Sequence, residues 1–302
     1  MPQEIALAAC LILVSMESIL GDTTSWSDHL SGAASIIQTT LTQRLDKRLA
    51  SSLESSLEGR WLLRNFAYHD ILASVTLNRE MLIPDLYWFR GGENIVDTYF
   101  GLASIPMAML AEITTLPGKF NRLAGNATAV DVAVPTCDYT STSLQVSRIE
   151  QQLLDWHPGE ARDASLMSLA ESYRSAALIQ LYRTLRYHYQ DTTENLNHKI
   201  TCQVNNVFAQ VEKMPAACLP ECTLLFPLFL AGGETNDLAQ QQLVRKRMQD
   251  IATYRRFENV SVALMVAEEV WDVQSRALPI DAWRPYDWLS VLERRGWKLA
   301  LS

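Results

Sequence analysis

The sequence predicts an all-α fold, a single multi-helix domain in which about ten or more helices pack as an irregular bundle. Apolar residues recur at steps of three and four along most of the 302 residues, as they do on the buried face of a helix. Only 12 glycines and 11 prolines are present, too few for the turns of a β-sandwich of this length. Since no repeat or low-complexity linker divides the chain, we expect one domain over residues 1–302.

The N-terminal half begins with two predicted helices, separated by Gly21. The first spans about Gln3 to Leu20 and is apolar nearly all round, which indicates burial on several sides. The second runs from Trp26 to about Thr40, behind hydroxyl residues that can cap it. Further helices are predicted at residues 61–79 and 101–116, with a break at Pro117-Gly118. Residues 51–58 are predicted as a frayed helix or a connection, residues 84–94 as a loop or short helical turn, and residues 121–139 as a long loop.

The C-terminal half contains the clearest helix, predicted over residues 160–189 from one apolar stripe that includes Leu169, Tyr173 and Leu181. Pro227 is expected to kink a buried helix. The other helices of this half are predicted at residues 143–156, 193–213, 219–230, 235–254 and 260–277, and the tail that follows carries Trp283, Trp288 and Trp297.

The charge pattern argues against a nucleic-acid-binding surface. The formal net charge is −8, whereas phosphate binding needs clustered lysine and arginine. The best local candidates are Arg245-Lys246-Arg247 and Arg255-Arg256, but on a helix these side chains spread around the cylinder, with Asp250 between them. A solvated helix face is the better interpretation, so we expect no direct contact with nucleic acid by this chain.

The cysteines and the apolar segments indicate a soluble protein of a reducing compartment, nuclear or cytoplasmic. The five cysteines are irregularly spaced, which favours free thiols over a disulfide framework. Only Cys218 and Cys222 are close in sequence, and without a second ligand pair we expect no zinc site. The apolar run Ile5–Val14 is too short to span a membrane and has no basic segment before it.

No complete catalytic motif is present, so the sequence predicts no catalytic residue, no metal ligand and no cofactor. His69-Asp70 could be imagined as a base and its orienting carboxylate, but adjacent helical residues point about 100° apart. A packed or capping histidine is therefore favoured. Glu268 and Asp272 share a helix face, as the magnesium ligands of helical isoprenoid enzymes do, yet no second carboxylate cluster opposes them.

Three segments, in their order and spacing, resemble the fungal-specific transcription factor domain that lies C-terminal to a Zn(II)2Cys6 DNA-binding cluster. The third segment, Leu225–Glu234, is the most specific, with its apolar-Pro-apolar-Phe pattern followed by Ala-Gly-Gly-Glu. The other matching residues are Ala8–Leu11, Gly21-Asp22, Trp26, His29-Leu30 and Gly32-Ala33, then Tyr68–Ser74 and Gly101–Ala103, and finally Val270-Trp271 and Trp283.

The resemblance implies a regulatory module that senses a small-molecule effector or forms a homo- or heterodimer with a related regulator. The zinc cluster that relatives carry is absent from this sequence, so the chain is expected to be either a fragment of a regulator or a standalone protein without DNA binding. The alternatives are a standalone enzyme acting on a small hydrophobic metabolite in a helical cavity, and a dominant-negative dimerisation partner. The signature positions are expected to be structural rather than ligand-binding: Trp26, His29, Phe226, Pro227, Gly232 and Trp271.

Overall fold

The regular structure of the described residues is helical. The computed structural model describes residues 2–42, 53, 56–84, 97–128, 136–159, 163–189, 193–276 and 286–302. Within these ranges the extended pairing consists of an isolated antiparallel bridge between Asp97 and Gly101. The predicted all-α, multi-helix class is therefore confirmed.

Twelve α-helices and a short 3-10 helix are present within the described ranges. The helices of the first half are α1 (Pro2–Ile19), α2 (Trp26–Thr42), α3 (Leu57–Thr76), α4 (Ser104–Ile113), α5 (Leu116–Thr128) and α6 (Thr136–Asp155). Those of the second half are α7 (Ala164–His188), α8 (Thr193–Lys213), the 3-10 helix (Leu219–Thr223), α9 (Leu225–Glu234), α10 (Leu238–Arg255), α11 (Glu258–Arg276) and α12 (Trp288–Arg295).

Several predicted boundaries are wrong, and proline position explains two of them. Pro117 is the second residue of α5 and Pro227 the third of α9. In the first turn of a helix a proline leaves no hydrogen bond unmade, because that N–H has no intrahelical acceptor. Pro117-Gly118 therefore lies in the first turn of α5 and does not end a helix. Pro227 likewise lies in the first turn of α9 and does not kink it.

The loop predicted for residues 121–139 is also wrong where the structure describes it. Residues 121–128 continue α5, and residues 136–139 form the first turn of α6; residues 129–135 lie outside the described ranges. The prediction followed a weak alternation of valines, all within that undescribed part. The helix predicted at 219–230 divides into the 3-10 helix and α9, and α12 was not predicted.

The larger of two hydrophobic clusters surrounds α7. The predicted stripe is largely confirmed, since Leu169, Tyr173, Ala177 and Leu181 are all buried. Helices α4, α8, α9 and α11 are among those that contribute further buried side chains to this cluster, including Phe226, Phe229 and Val270. Burial of apolar area on this scale is the main force that holds the helices together.

A second cluster lies between α1, α2 and the first half of α3. It contains Leu7 and Leu11 of α1, Trp26 and Leu30 of α2, and Phe66 of α3. Gly21 makes the sharp connection from α1 to α2 with φ of +76°, and a side chain there would meet Glu258 at 3.0 Å. Only glycine takes this conformation without strain and also fits the gap.

The segment 297–302 joins the two clusters. Leu299 and Leu301 are buried in the larger cluster and Ala300 in the smaller one. The backbone N–H of Lys298 donates to the carbonyl oxygen of Thr23 at 2.7 Å, and the Asn259 amide donates to the carbonyl oxygen of Ala300 at 3.3 Å. This segment therefore fixes α2 and α11 relative to each other.

Candidate functional site

An open groove between α1 and α3 has the size of a small-molecule site. Its volume is about 800 Å³, within the range of about 300–1,000 Å³ typical of ligand pockets. Its lining residues are Glu4, Ile5 and Ala8 of α1; Leu57, Glu58, Arg60, Trp61, Leu62 and Arg64 of α3; and Asp97, Thr98 and Tyr99 of the turn before α4.

An aromatic wall runs from this groove into the core. The Trp61 ring, whose side chain is 45% exposed, lies 5.6 Å from the ring of Tyr99. Tyr99 stacks on the buried Tyr68 at 5.7 Å, with 30° between the ring planes. Asn65 fixes Tyr99 by donating from Nδ2 to its hydroxyl oxygen at 2.5 Å. The wall is therefore held rigidly at its inner end and open to solvent at Trp61.

Burial raises the pKa values of the inner phenols of this wall above the ordinary tyrosine value. Desolvation raises the pKa of Tyr68 to about 12, an effect that its hydrogen bond with Tyr173 partly offsets. Desolvation also raises the pKa of Tyr99, and the nearby Asp97 carboxylate adds to the shift, while the hydrogen bond from Asn65 opposes it. The wall thus presents uncharged π-faces at neutral pH, which suits stacking against an apolar or aromatic ring.

Charged groups surround the aromatic wall and limit which ligands fit. Arg64 forms an ion pair with Asp97 at 3.2 Å. The Asp97 carboxylate also accepts the backbone N–H groups of Tyr99 at 2.8 Å and Phe100 at 3.1 Å, which fixes the turn that carries the wall. On the opposite side, Ser56 donates to Glu4 at 3.0 Å. The groove therefore combines apolar side chains with a polar rim.

His69, the sequence candidate for a base, is buried and lies outside the set of groove-lining residues. Its Nδ1 is 2.7 Å from the hydroxyl of Ser302, and its Nε2 is 3.2 Å from that of Ser15. Burial lowers the pKa of His69 to about 4, so the ring is neutral at pH 7. The histidine links α3 to α1 and to segment 297–302, and it does not pair with Asp70.

The Asp70 carboxylate is occupied by a different set of partners. Its Oδ2 accepts the backbone N–H of Leu82 at 2.8 Å and of Ile83 at 3.4 Å, and its Oδ1 pairs with Arg79 at 3.0 Å. Burial raises the pKa of Asp70, and the Arg79 charge opposes that shift. These bonds fix the chain that follows α3.

Of the six signature positions, the structure brings together the four C-terminal ones. Phe226 is fully buried, and its ring lies 6.0 Å from that of Tyr173. The indole N–H of Trp271 donates to the carbonyl oxygen of Gly232 at 2.8 Å, and a side chain on Gly232 would meet Val244 at 3.2 Å. Pro227 is buried beside them in α9. These residues join α7, α9, α10 and α11.

The other two signature positions lie apart, in the second cluster. Trp26 is 1% exposed and donates from its indole N–H to the carbonyl oxygen of Lys298 at 2.8 Å. The His29 Nε2 lies 3.2 Å from the Glu17 carboxylate. None of the six is among the groove-lining residues. A structural role for the six signature residues stays a prediction. The contacts described above are the kind that such a role requires.

A buried ion-pair network at the end of α9 was missed by the sequence analysis. Glu234 pairs with both Arg183 and Arg186 of α7, the latter at 2.9 Å. Arg183 also donates to Asp287 at 2.8 Å and stacks over the Trp288 ring, 4.8 Å from its centroid. The signal was the spacing of two arginines three residues apart on α7, which places both on one face. Their distant partner could not be read from sequence.

The basic residues considered for phosphate binding make contacts within the protein. Lys246 pairs with Asp250 at 3.0 Å, and Arg255 donates to the carbonyl oxygen of Cys218 at 2.8 Å. Two further pairs are Arg245 with Glu268 at 2.6 Å and Arg247 with the buried Glu221 at 2.8 Å. These contacts disperse the positive charge. That the chain does not bind nucleic acid itself stays a prediction.

The described residues contain no group of three or more His, Cys, Asp or Glu side chains placed to hold a metal ion. The cysteines whose side chains the structure describes are free thiols: Cys10, Cys202, Cys218 and Cys222. A membrane search of the same residues found no helix with the length and apolar character needed to cross a bilayer.

Comparison with known proteins identifies a family. The family model described as the fungal specific transcription factor domain matches residues 3–302. The match covers nearly the whole chain and includes the groove, the signature residues and the ion-pair network. No curated protein and no solved structure matches significantly.

Proposed function

Because this chain belongs to the fungal-specific transcription factor domain family, we propose that it is a regulatory module that responds to a small apolar effector bound in the groove between α1 and α3. The family supports the regulatory role. We propose further that residues 1–302 act as one unit, that the unit works in the nucleus, and that it contacts DNA only through a partner or another part of a regulator.

The observation that carries the effector site is the exposed end of the aromatic wall. Trp61 is 45% exposed although its ring lies 5.6 Å from that of Tyr99, at a tilt of 49°, and the Tyr99 ring is itself anchored by Asn65 and Tyr68. When a ligand covers a large, solvent-exposed aromatic side chain on a rigid platform, apolar surface is buried and binding is favoured. The class of ligand that fits is a flat, mainly apolar molecule with one polar or charged group that reaches the rim.

The enzyme alternative is less well supported by this geometry. It requires a histidine or carboxylate with a shifted pKa facing a cavity. His69 and Asp70 have shifted pKa values, but both are enclosed by protein partners and neither lines the groove. We therefore favour effector binding over catalysis.

The effector site is tested with anilinonaphthalene sulfonate, a fluorescent aromatic anion, as the probe. We expect its fluorescence to rise on binding the native chain. Its affinity for Trp61→Ala should be about tenfold lower, since a stacked aromatic contributes about 0.5–1.5 kcal/mol beyond its buried area. Leu238→Ala removes a side chain 73% exposed on α10 and is the matched control. Equal binding by both variants would place the probe elsewhere and contradict the groove site.

The regulatory role is tested separately by fusing the chain to an unrelated DNA-binding domain in a reporter strain. We expect the fusion to change reporter output and Trp61→Ala to alter its response to added small molecules. A fusion that leaves output unchanged under every condition, while being stably expressed, argues against a regulatory module.

A further inference from the structure

Helix α1 exposes a continuous apolar stripe to solvent. The stripe consists of Ile5, which also lines the groove between α1 and α3, and of Ala9, Ile12, Met16 and Ile19, all of them exposed. The four larger side chains are exposed by 67%, 65%, 47% and 36%, in chain order. The steps between the five residues are four, three, four and three, which is the spacing of a coiled-coil seam.

The opposite face of α1 carries a second seam with the same spacing, and that one is already packed. Leu7, Leu11, Val14 and Ser18 are buried against α2, α3 and α11. Each lies two residues after a member of the exposed stripe, which places the two seams about 160° apart around the helix. Helix α1 therefore has the sequence of a helix packed on two sides, but the described residues cover only one of them.

From this arrangement we infer that the exposed stripe of α1 packs against the same stripe of a second copy of the chain. The inference rests on the regulatory role proposed above, and it identifies the protein partner of this regulatory module as a second copy of the chain. A seam of this spacing is complementary to another helix with the same spacing, and a second α1 supplies one. The same patch then serves both copies across a two-fold axis, the commonest symmetry among soluble dimers.

The charges of α1 distinguish this partner from a lipid surface. Between Glu4 and Glu17 the helix has no charged residue, and over its whole length it has no lysine, arginine or histidine. Helices that lie on membranes use basic residues to meet anionic lipid. An uncharged stripe bordered by glutamates is suited instead to a dry helix–helix contact.

The exposed area is sufficient for a weak dimer. The uncovered parts of the stripe, together with Leu20, which is 66% exposed, amount to on the order of 500 Å² per copy, so two copies would bury about 1,000 Å². That is the lower limit for a specific interface. We therefore expect reversible association rather than a permanent dimer.

Sedimentation equilibrium of the full chain tests the inference. We expect the native chain to approach twice the monomer mass as concentration rises. Ile12→Glu, at the centre of the stripe, should weaken association at least about 100-fold, since it places like charges in a dry contact. Leu238→Glu, an equally exposed apolar-to-acidic change on α10, should associate like the native chain.

Ala9→Arg is a second variant of the stripe and serves the same purpose as Ile12→Glu. Far-UV circular dichroism checks that each protein is folded. A native chain that stays monomeric at high concentration overturns the inference, as does a folded Ile12→Glu that associates normally. Binding of the native chain to anionic vesicles that Ile12→Glu abolishes would assign the stripe to lipid and also overturn it. Since neither Ala9 nor Ile12 lines the groove, probe binding with no dimer would leave the regulatory proposal standing.

Discussion

The indole N–H of Trp26 donates a 2.8 Å hydrogen bond to the carbonyl oxygen of Lys298, across 272 positions of the sequence. Trp26 begins α2, and Lys298 directly precedes the buried residues 299–301 of segment 297–302. The bond gives a fully enclosed donor its acceptor, which a buried indole needs. It also attaches the last described segment of the chain to one of the first helices, so the two ends of the domain are stabilised together.

Replacing Trp26 by Phe should reduce the free energy of unfolding by about 2 kcal/mol. The substitution removes the donor, leaves the Lys298 carbonyl without this partner, and opens a small cavity. Urea denaturation followed by circular dichroism measures the loss. Trp61→Phe makes the same chemical change at a half-exposed ring and should shift the stability by no more than about 0.5 kcal/mol. Equal effects at both sites would contradict the role assigned to Trp26.

Replacing Glu234 by Gln should destabilise the fold by about 3–5 kcal/mol, because Arg183 and Arg186 would be left buried with less counter-charge. The matched control is Asp272→Asn, which breaks the exposed ion pair with Arg276 and should cost less than about 1 kcal/mol. Thermal unfolding of both variants makes the comparison. A loss at Glu234 as small as that at Asp272 would mean that the network adds little to stability.

The stability of the native chain should fall as the pH is lowered from about 6.5 to about 4. Burial lowers the pKa of His69 from 6.5 to about 4 in the folded state. Between these values the unfolded chain binds a proton that the folded chain does not, so acid favours unfolding. The contribution of His69 is fully present above pH 6.5, and about 3 kcal/mol is lost by pH 4.

The difference between the native chain and His69→Gln isolates this effect, since Asp70, whose pKa burial raises, titrates in both proteins. Urea denaturation at a series of pH values should show a shallower pH dependence in His69→Gln. His157→Gln, at a histidine whose side chain is 74% exposed, should retain the native slope. An unchanged slope in His69→Gln would show that His69 does not control acid stability.

Gly233→Ala should destabilise the chain by about 1–3 kcal/mol through overpacking. A Cβ atom at this position would lie 2.9 Å from Cδ1 of Trp288, and that indole supports Arg183. Gly32→Ala is the control, because its Cβ would meet Cys10 at an ordinary 3.8 Å and alanine favours the helix by about 1 kcal/mol. Thermal melts should move in opposite directions. Matching shifts would show that Trp288 does not constrain residue 233.

Local patterns in the sequence were sufficient for the fold class and for most helices. Apolar periodicity identified α7, and the bounds predicted for α8 agree with the structure. These signals depend on residues within a few turns of each other, so they can be read along the chain. The errors at Pro117 and Pro227 came from treating proline as a breaker without knowing where each helix begins.

The sequence by itself determined that this protein is helical and, through the spacing of its signature residues, which family it belongs to. Only the tertiary structure decided which residues meet: Glu234 with Arg183, His69 with Ser302, and Trp61 with the Tyr99 platform. It also decided which of the two apolar seams of α1 is covered. Helix formation depends on neighbours in sequence, whereas a groove or an exposed stripe exists only after distant helices have packed and left one surface without a partner.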